Sequence, residues 1–163
     1  MIFWGVWVSD WANLAQIAGN IVLVFTLPAI LWQAWAIRLQ TQSHRDQAAI
    51  DRADAYSKKY DEIKPALDNL KAWHSKMAPD LFLQELAAGG EFINDWNTAM
   101  NYFEDMGAHY CQKTLDREFI NKTLSRAIKE PWSQFAHVIS ELRKKSSYPE
   151  LYDQFEGMAL LIP

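Results

Sequence analysis

Between Met1 and Leu39 only Asp10 and Arg38 carry charge, and the twenty residues from Ala12 to Leu31 carry none. That run constrains the chain more than any other feature. At ~1.5 Å per residue a helix of this length crosses the roughly 30 Å hydrocarbon layer of a bilayer. Trp4, Trp7 and Trp11 lie on one flank and Trp32 and Trp35 on the other, the placement of the aromatic belts that sit at the two headgroup interfaces. A cleaved leader would start with basic residues and end at a small-residue cleavage site after a shorter apolar run, so the segment is expected to be retained.

The charge pattern orients this expected span. No Lys or Arg precedes it, whereas Arg38, Arg45, Arg52, Lys58 and Lys59 follow it, which keeps the C-terminal part in the cytoplasm by the positive-inside tendency. Within or beside the span Asn13, Gln16 and Asn20 share a helix face, with Pro28 further along. Amides in hydrocarbon need partners, so the stripe points to helix–helix association or, in a ring, to a polar pore lining. Pro28 is expected to kink the helix.

The chain of 163 residues is one domain's worth beyond an anchor. Its formal net charge of −4 offers no basic excess for a phosphate backbone and argues against a general nucleic-acid binder. The single cysteine, Cys111, excludes an intrachain disulfide framework. Three parts are expected: an N-terminal flank and transmembrane helix over 1–39, a helical stalk over 40–64, and a soluble domain over 65–163.

Every element of the soluble domain reads as helix. Residues 40–64 contain neither Gly nor Pro, and Pro65 would start a new helix or kink this one. Leu67, Leu70, Trp73 and Met77 give an apolar face, and Asp80–Ala88 is a short helix stopped by Gly89-Gly90. Glu91 to Gln112 carries Phe92, Trp96, Met100, Phe103, Met106 and Tyr110 on one side, and must be a core helix. Asp116 can cap a further helix, Pro131 can open the next, and a last short helix follows Pro149. The fold class is all-α: one transmembrane helix continuing into a stalk, then an irregular cytosolic helical bundle.

Catalytic signatures are scarce: no glycine-rich phosphate loop, Cys-x-x-Cys, His-Glu-x-x-His or Gly-x-Ser-x-Gly occurs. Arg38 and His44 match the loose Arg-x(4–6)-His spacing of HEPN ribonucleases, but Arg38 is placed to anchor the span at the headgroups. His109 and Cys111, with His74 and His137 elsewhere, could be imagined as a metal site. Two residues apart on a helix, however, His109 and Cys111 diverge. No metal or other cofactor is therefore expected. Asn97, Asn101, Glu104 and Ala108 form a narrow stripe beside the apolar face of the main core helix, polar at the first three. Its carboxylate is expected to pair with Arg117, Arg126 or Arg143 and fix helix packing, ahead of a ligand or catalytic role.

The stretch Trp96-Asn97-Thr98-Ala99-Met100-Asn101-Tyr102-Phe103-Glu104, followed by Leu115-Asp116-Arg117-Glu118-Phe119-Ile120 and Trp132, resembles the bacterial family known as domain of unknown function 4760. The resemblance covers roughly the C-terminal half and implies topology and bacterial origin, with no catalytic residues to carry over. The plan of a short N-terminal span and a small helical domain is also similar to membrane accessory proteins of RNA-targeting type VI CRISPR systems. Together these readings lead to the expectation of a non-enzymatic, self-associating inner-membrane protein. It would act as a membrane effector or pore-like component, with the N-terminus outside, in antiphage defence. A membrane-tethered adaptor binding a cytosolic protein or nucleotide signal, and a divergent HEPN-type ribonuclease, are the competing expectations.

Overall fold

The computed structural model describes residues 3–146 and 148–163, and the side chains of all of these except 3–10, 12 and 18–25. The described residues form helices and connecting turns, without a strand. From Phe3 the chain is rich in Ala, Leu, Gln and Lys, with no glycine between Gly19 and Gly89. Such residues give up little side-chain freedom in a helix. One helix, α1 (Phe3–Lys76), results.

Pro65 neither starts a new helix nor ends this one, and Pro28 also lies within α1. A proline inside a helix removes the bond to the carbonyl four residues back; Pro65 and Asp61 are both exposed, so that carbonyl can bond water instead. Five helices follow: α2 (Pro79–Ala87), α3 (Ile93–Cys111), α4 (Arg117–Thr123), α5 (Ser125–Lys145) and α6 (Asp153–Leu161).

The chain divides into two compact units, Met1–Arg45 and Asp46–Pro163. In the first, the described side chains of α1 are all exposed, including Leu14, Ile17, Leu27, Ile30, Trp32 and Trp35. Among the described residues no helix is long and apolar enough to cross a membrane. The middle of the Ala12–Leu31 run, residues 18–25, lies outside the described side chains.

The second unit takes up more of the chain than the stalk reading allows. Ala53, Tyr56 and Ile63 are buried with Leu67 and Leu70, because an apolar residue recurs every three to four positions along 53–70 and presents one stripe to the core. Partners on α3 show that it runs antiparallel to α1: Asn69 bonds Asp95 and Tyr56 bonds Asp105. Around this pair an aromatic core forms. Phe82 stacks on Phe92 at 4.6 Å and Phe103 on Phe155 at 4.6 Å, while Trp96 stands edge-on to Phe135 and donates to Tyr152 Oη at 3.2 Å. No polar or charged residue among those described is fully buried.

Two boundaries differ from the sequence expectation. Asp116 does cap α4, accepting from Phe119 N at 3.0 Å, but that helix stops at Thr123 and α5 starts at Ser125. Pro131 therefore lies inside α5 instead of opening a helix. It is buried, and the packing of Ile128, Phe135, Val138 and Ile139 along the same helix offsets the roughly 3 kcal/mol that an interior proline costs.

Candidate functional site

The polar residues singled out by the sequence are dispersed over the two units. In the first unit Asn13 and Gln16 are exposed on α1, and the side chain of Asn20 lies outside the described residues. Arg38 and His44 are exposed on the same helix. Six residues apart, they are displaced by roughly 9 Å along its axis. Acid–base cleavage of RNA needs a cleft that holds the substrate, and these two side chains stand on an open helix surface.

In the second unit the stripe on α3 has a structural use. Asn97 and Asn101 are exposed, whereas Glu104 is half-buried. None of the three arginines pairs with it. Glu104 Oε2 accepts from Phe155 N at 2.9 Å and Oε1 from Gln154 N at 3.3 Å, so a carboxylate on α3 caps the start of α6. The helix needs this because Tyr152, left-handed at φ 61°, supplies no side-chain cap, and the first N–H groups of a helix have no internal acceptor.

The arginines are used elsewhere. Arg117 donates to the carbonyls of Tyr110 and Cys111, and its guanidinium lies 4.8 Å from the centre of the Tyr110 ring. Arg126 pairs with Glu130. Arg143 donates to Leu151 O at 2.8 Å and to Glu156 at 2.7 Å, and its Nη2 faces Asp153 at 2.9 Å. These contacts tie α5 to the turn that leads into α6.

Two glycines let α3 and α6 approach. A Cβ on Gly107 would lie 2.3 Å from Gln154 O, and one on Gly157 would lie 3.3 Å from Cys111 Sγ. The seam therefore runs Glu104, Gly107, Cys111 along α3. The sequence signal for it was a glycine inside a strong helical pattern. Burial pushes the Cys111 thiol up from its ordinary value, with Arg117 opposing, so Cys111 is a packed thiol rather than an activated one.

A second polar cluster joins α1 to the turn after α3. Tyr56 Oη donates to Asp105 at 2.6 Å, Tyr102 Oη to Tyr56 O at 2.7 Å, and Arg52 to Thr114 O at 2.7 Å. His109 Nδ1 lies 2.9 Å from Thr114 Oγ1. Burial, then Asp105, raises the Tyr56 phenol, and burial followed by the neighbouring tyrosines and Asp61 raises Tyr102. Neither phenol is poised as a base near neutral pH.

His109 faces Thr114 while Cys111 faces α6, and His74 pairs with His137 at a ring separation of 5.3 Å. Among the described residues no group of three or more His, Cys, Asp or Glu is arranged to hold a metal ion. A depression of about 520 Å³ on α5, lined by Ser125, Arg126, Lys129, Glu130 and Ser133, is wide open. Glu130 there is bound to Lys71 at 2.9 Å. Such a surface lacks the enclosure of a substrate pocket.

No curated protein and no solved structure matches the chain. A family does match, and well beyond the C-terminal half on which the resemblance rests: the alignment takes in the whole second unit as far as residue 160 and reaches back into the apolar run. The chain belongs to the family described as Domain of unknown function (DUF4760), which it matches over residues 23–160.

Proposed function

We propose that the protein is a single-span, non-enzymatic membrane protein that self-associates through its first unit and acts as a membrane effector, its second unit lying in the cytoplasm. One observation carries the reading. At ~100° per residue, the exposed Trp11, Leu14, Ile17, Leu27, Ile30, Leu31, Trp32, Trp35 and Ile37 are spread around the helix axis and form no single stripe. A helix that is apolar all round needs cover on every side, from lipid or from other helices. The uncharged run Ala12–Leu31 has the length for a bilayer, and the amides of Asn13, Gln16 and Asn20 call for partners in neighbouring copies.

A tethered adaptor is the second reading, favoured by the self-contained core of Asp46–Pro163. The likeness to accessory proteins of type VI CRISPR systems rests on plan alone, and contributes no residue to either reading.

The test is the behaviour of the full-length chain. It should resist alkaline extraction from membranes and, in detergent, give a closed ring by light scattering and single-particle imaging. Leucine at both Gln16 and Asn20 should dissolve the ring and end permeabilisation of liposomes. Alkaline extraction of the wild-type chain would refute the anchor. A membrane-bound monomer or dimer would refute the effector and leave the adaptor.

A further inference from the structure

His74, near the end of α1, is half-buried among rings of α2 and α5. Its ring is edge-on to Phe82 of α2 at 5.4 Å, edge-on to Phe135 of α5 at 5.4 Å, and 5.3 Å from the ring of His137 on α5. Its Nε2 is shut off from water and, among the described residues, has no hydrogen-bond partner. Phe82 is fully buried and also stacks on Phe92, so the ring that His74 touches is one of the three side chains, with Leu83 and Leu86, that hold α2 in the core.

A neutral imidazole can leave Nε2 as a bare lone pair, which costs less there than a charged N–H without an acceptor. The imidazolium cannot. It puts a charged N–H at Nε2 with no acceptor and leaves it poorly hydrated. The surrounding charges offer no relief. On α1, Lys71 lies one turn before His74 and is bound to Glu130 of α5 at 2.9 Å. On α5, Glu141 lies one turn beyond His137 and is bound to Lys144 at 2.6 Å. The side that α2 turns to His74 is the Phe82 ring. Attraction of the cation to the two phenylalanine rings offsets part of the cost, and charge on His137 adds to it.

We propose that His74 is a proton-sensitive latch, which holds α2 and the end of α1 against α5 while its ring is neutral and loosens them when the ring is charged. Burial, and then His137, lower its proton affinity below the ordinary value of 6.5. The folded state therefore binds this proton less well than the opened state. The latch is fully closed above about pH 6.5 and weakens as pH falls through and below it. This inference concerns the second unit only and stands whether or not the first unit enters a membrane.

The experiment uses the full-length chain in detergent. Imidazole carbon NMR gives the midpoint of His74, and amide hydrogen exchange, corrected for intrinsic rate, follows α2. The midpoint is expected below 6.5, and α2 should open up to about tenfold more readily at about pH 5.5 than at about pH 7.5, the limit set by one proton between those values. His74→Phe should abolish that dependence. His137→Gln should raise the His74 midpoint and shrink the response, which keeps the test decisive if His74→Phe fails to fold. A His74 midpoint at or above the ordinary value, constant protection of α2, or the same loss in a folded His74→Phe protein would each overturn the latch.

Discussion

Replacing Gly107 with alanine should destabilise the second unit by about 1.5–5 kcal/mol, although alanine is the better helix former by about 1 kcal/mol. The added Cβ would sit 2.3 Å from Gln154 O and 2.9 Å from Phe155 N. Contact at those atoms normally begins near 3.4 Å, so the overlap is about 1 Å and falls on backbone, which cannot swing aside as a side chain can. The start of α6 must move. It is held by the two bonds to Glu104 at 2.9 and 3.3 Å and by Phe155, stacked on Phe103 and edge-on to Trp132. Overpacking costs about 1–3 kcal/mol, and losing hydrogen bonds to a charged group about 1.5–3 kcal/mol. Subtracting the helix-propensity gain leaves the stated range, a large share of the roughly 5–15 kcal/mol by which domains are stable. Urea unfolding of the full-length protein in detergent, followed by far-ultraviolet circular dichroism, measures it. Gly157→Ala is the internal control: its Cβ meets only the Cys111 sulfur, at 3.3 Å, and its cost should stay within about 0.5 kcal/mol. Because Glu104 and Gly107 act on the same backbone, the Glu104→Ala, Gly107→Ala pair should cost less than the sum of the singles. A Gly107→Ala protein as stable as the wild type would refute the close approach of α3 and α6.

Two further outcomes follow from the buried polar groups. Tyr56 and Tyr102 hold their protons above the ordinary value of 10.0, chiefly through burial; their contribution is intact below about pH 10 and lost as pH rises beyond it. Tyr56→Phe should therefore unfold less steeply with alkali, while losing about 1 kcal/mol at neutral pH with the bond to Asp105. Arg143→Ala should cost about 2–3 kcal/mol by chemical denaturation, because one half-buried guanidinium serves Leu151 O, Asp153 and Glu156; Arg143→Lys, unable to reproduce the fork, should recover less than half of that.

Much of the architecture could be read from periodicity and caps. Glu91–Gln112 was readable as a core helix because Trp96, Met100, Phe103, Met106 and Tyr110 repeat at helical spacing, and α3 occupies Ile93–Cys111. Asp116 and Gly89 were readable as a cap and a stop, since a short carboxylate and a residue free to adopt φ of 74° are local requirements. Prolines were read less well. Pro131 sits inside α5 instead of opening it, while Pro65 takes the second of its two expected places, within the helix; the surrounding apolar stripe outweighs one missing bond, and that balance depends on contacts far along the chain. For the polar stripe, position on the helix was legible and partner was not. Glu104 could reach any of several cations by sequence, and the backbone amides of Gln154 and Phe155 cannot be identified as acceptor-seeking until α6 is in place.

By itself the sequence determined that this chain is helical, that all its charges but Asp10 and Arg38 follow Leu39, and which face of each helix is apolar, since those properties depend on residues within a few turns of one another. Tertiary structure alone decided that residues 53–63 belong to the core, that Gly107 marks the contact of α3 with α6, and that His74 ends against Phe82 and Phe135 with one nitrogen unpartnered. Those are relations between helices, and an apolar or polar face has no partner until the chain has closed upon it.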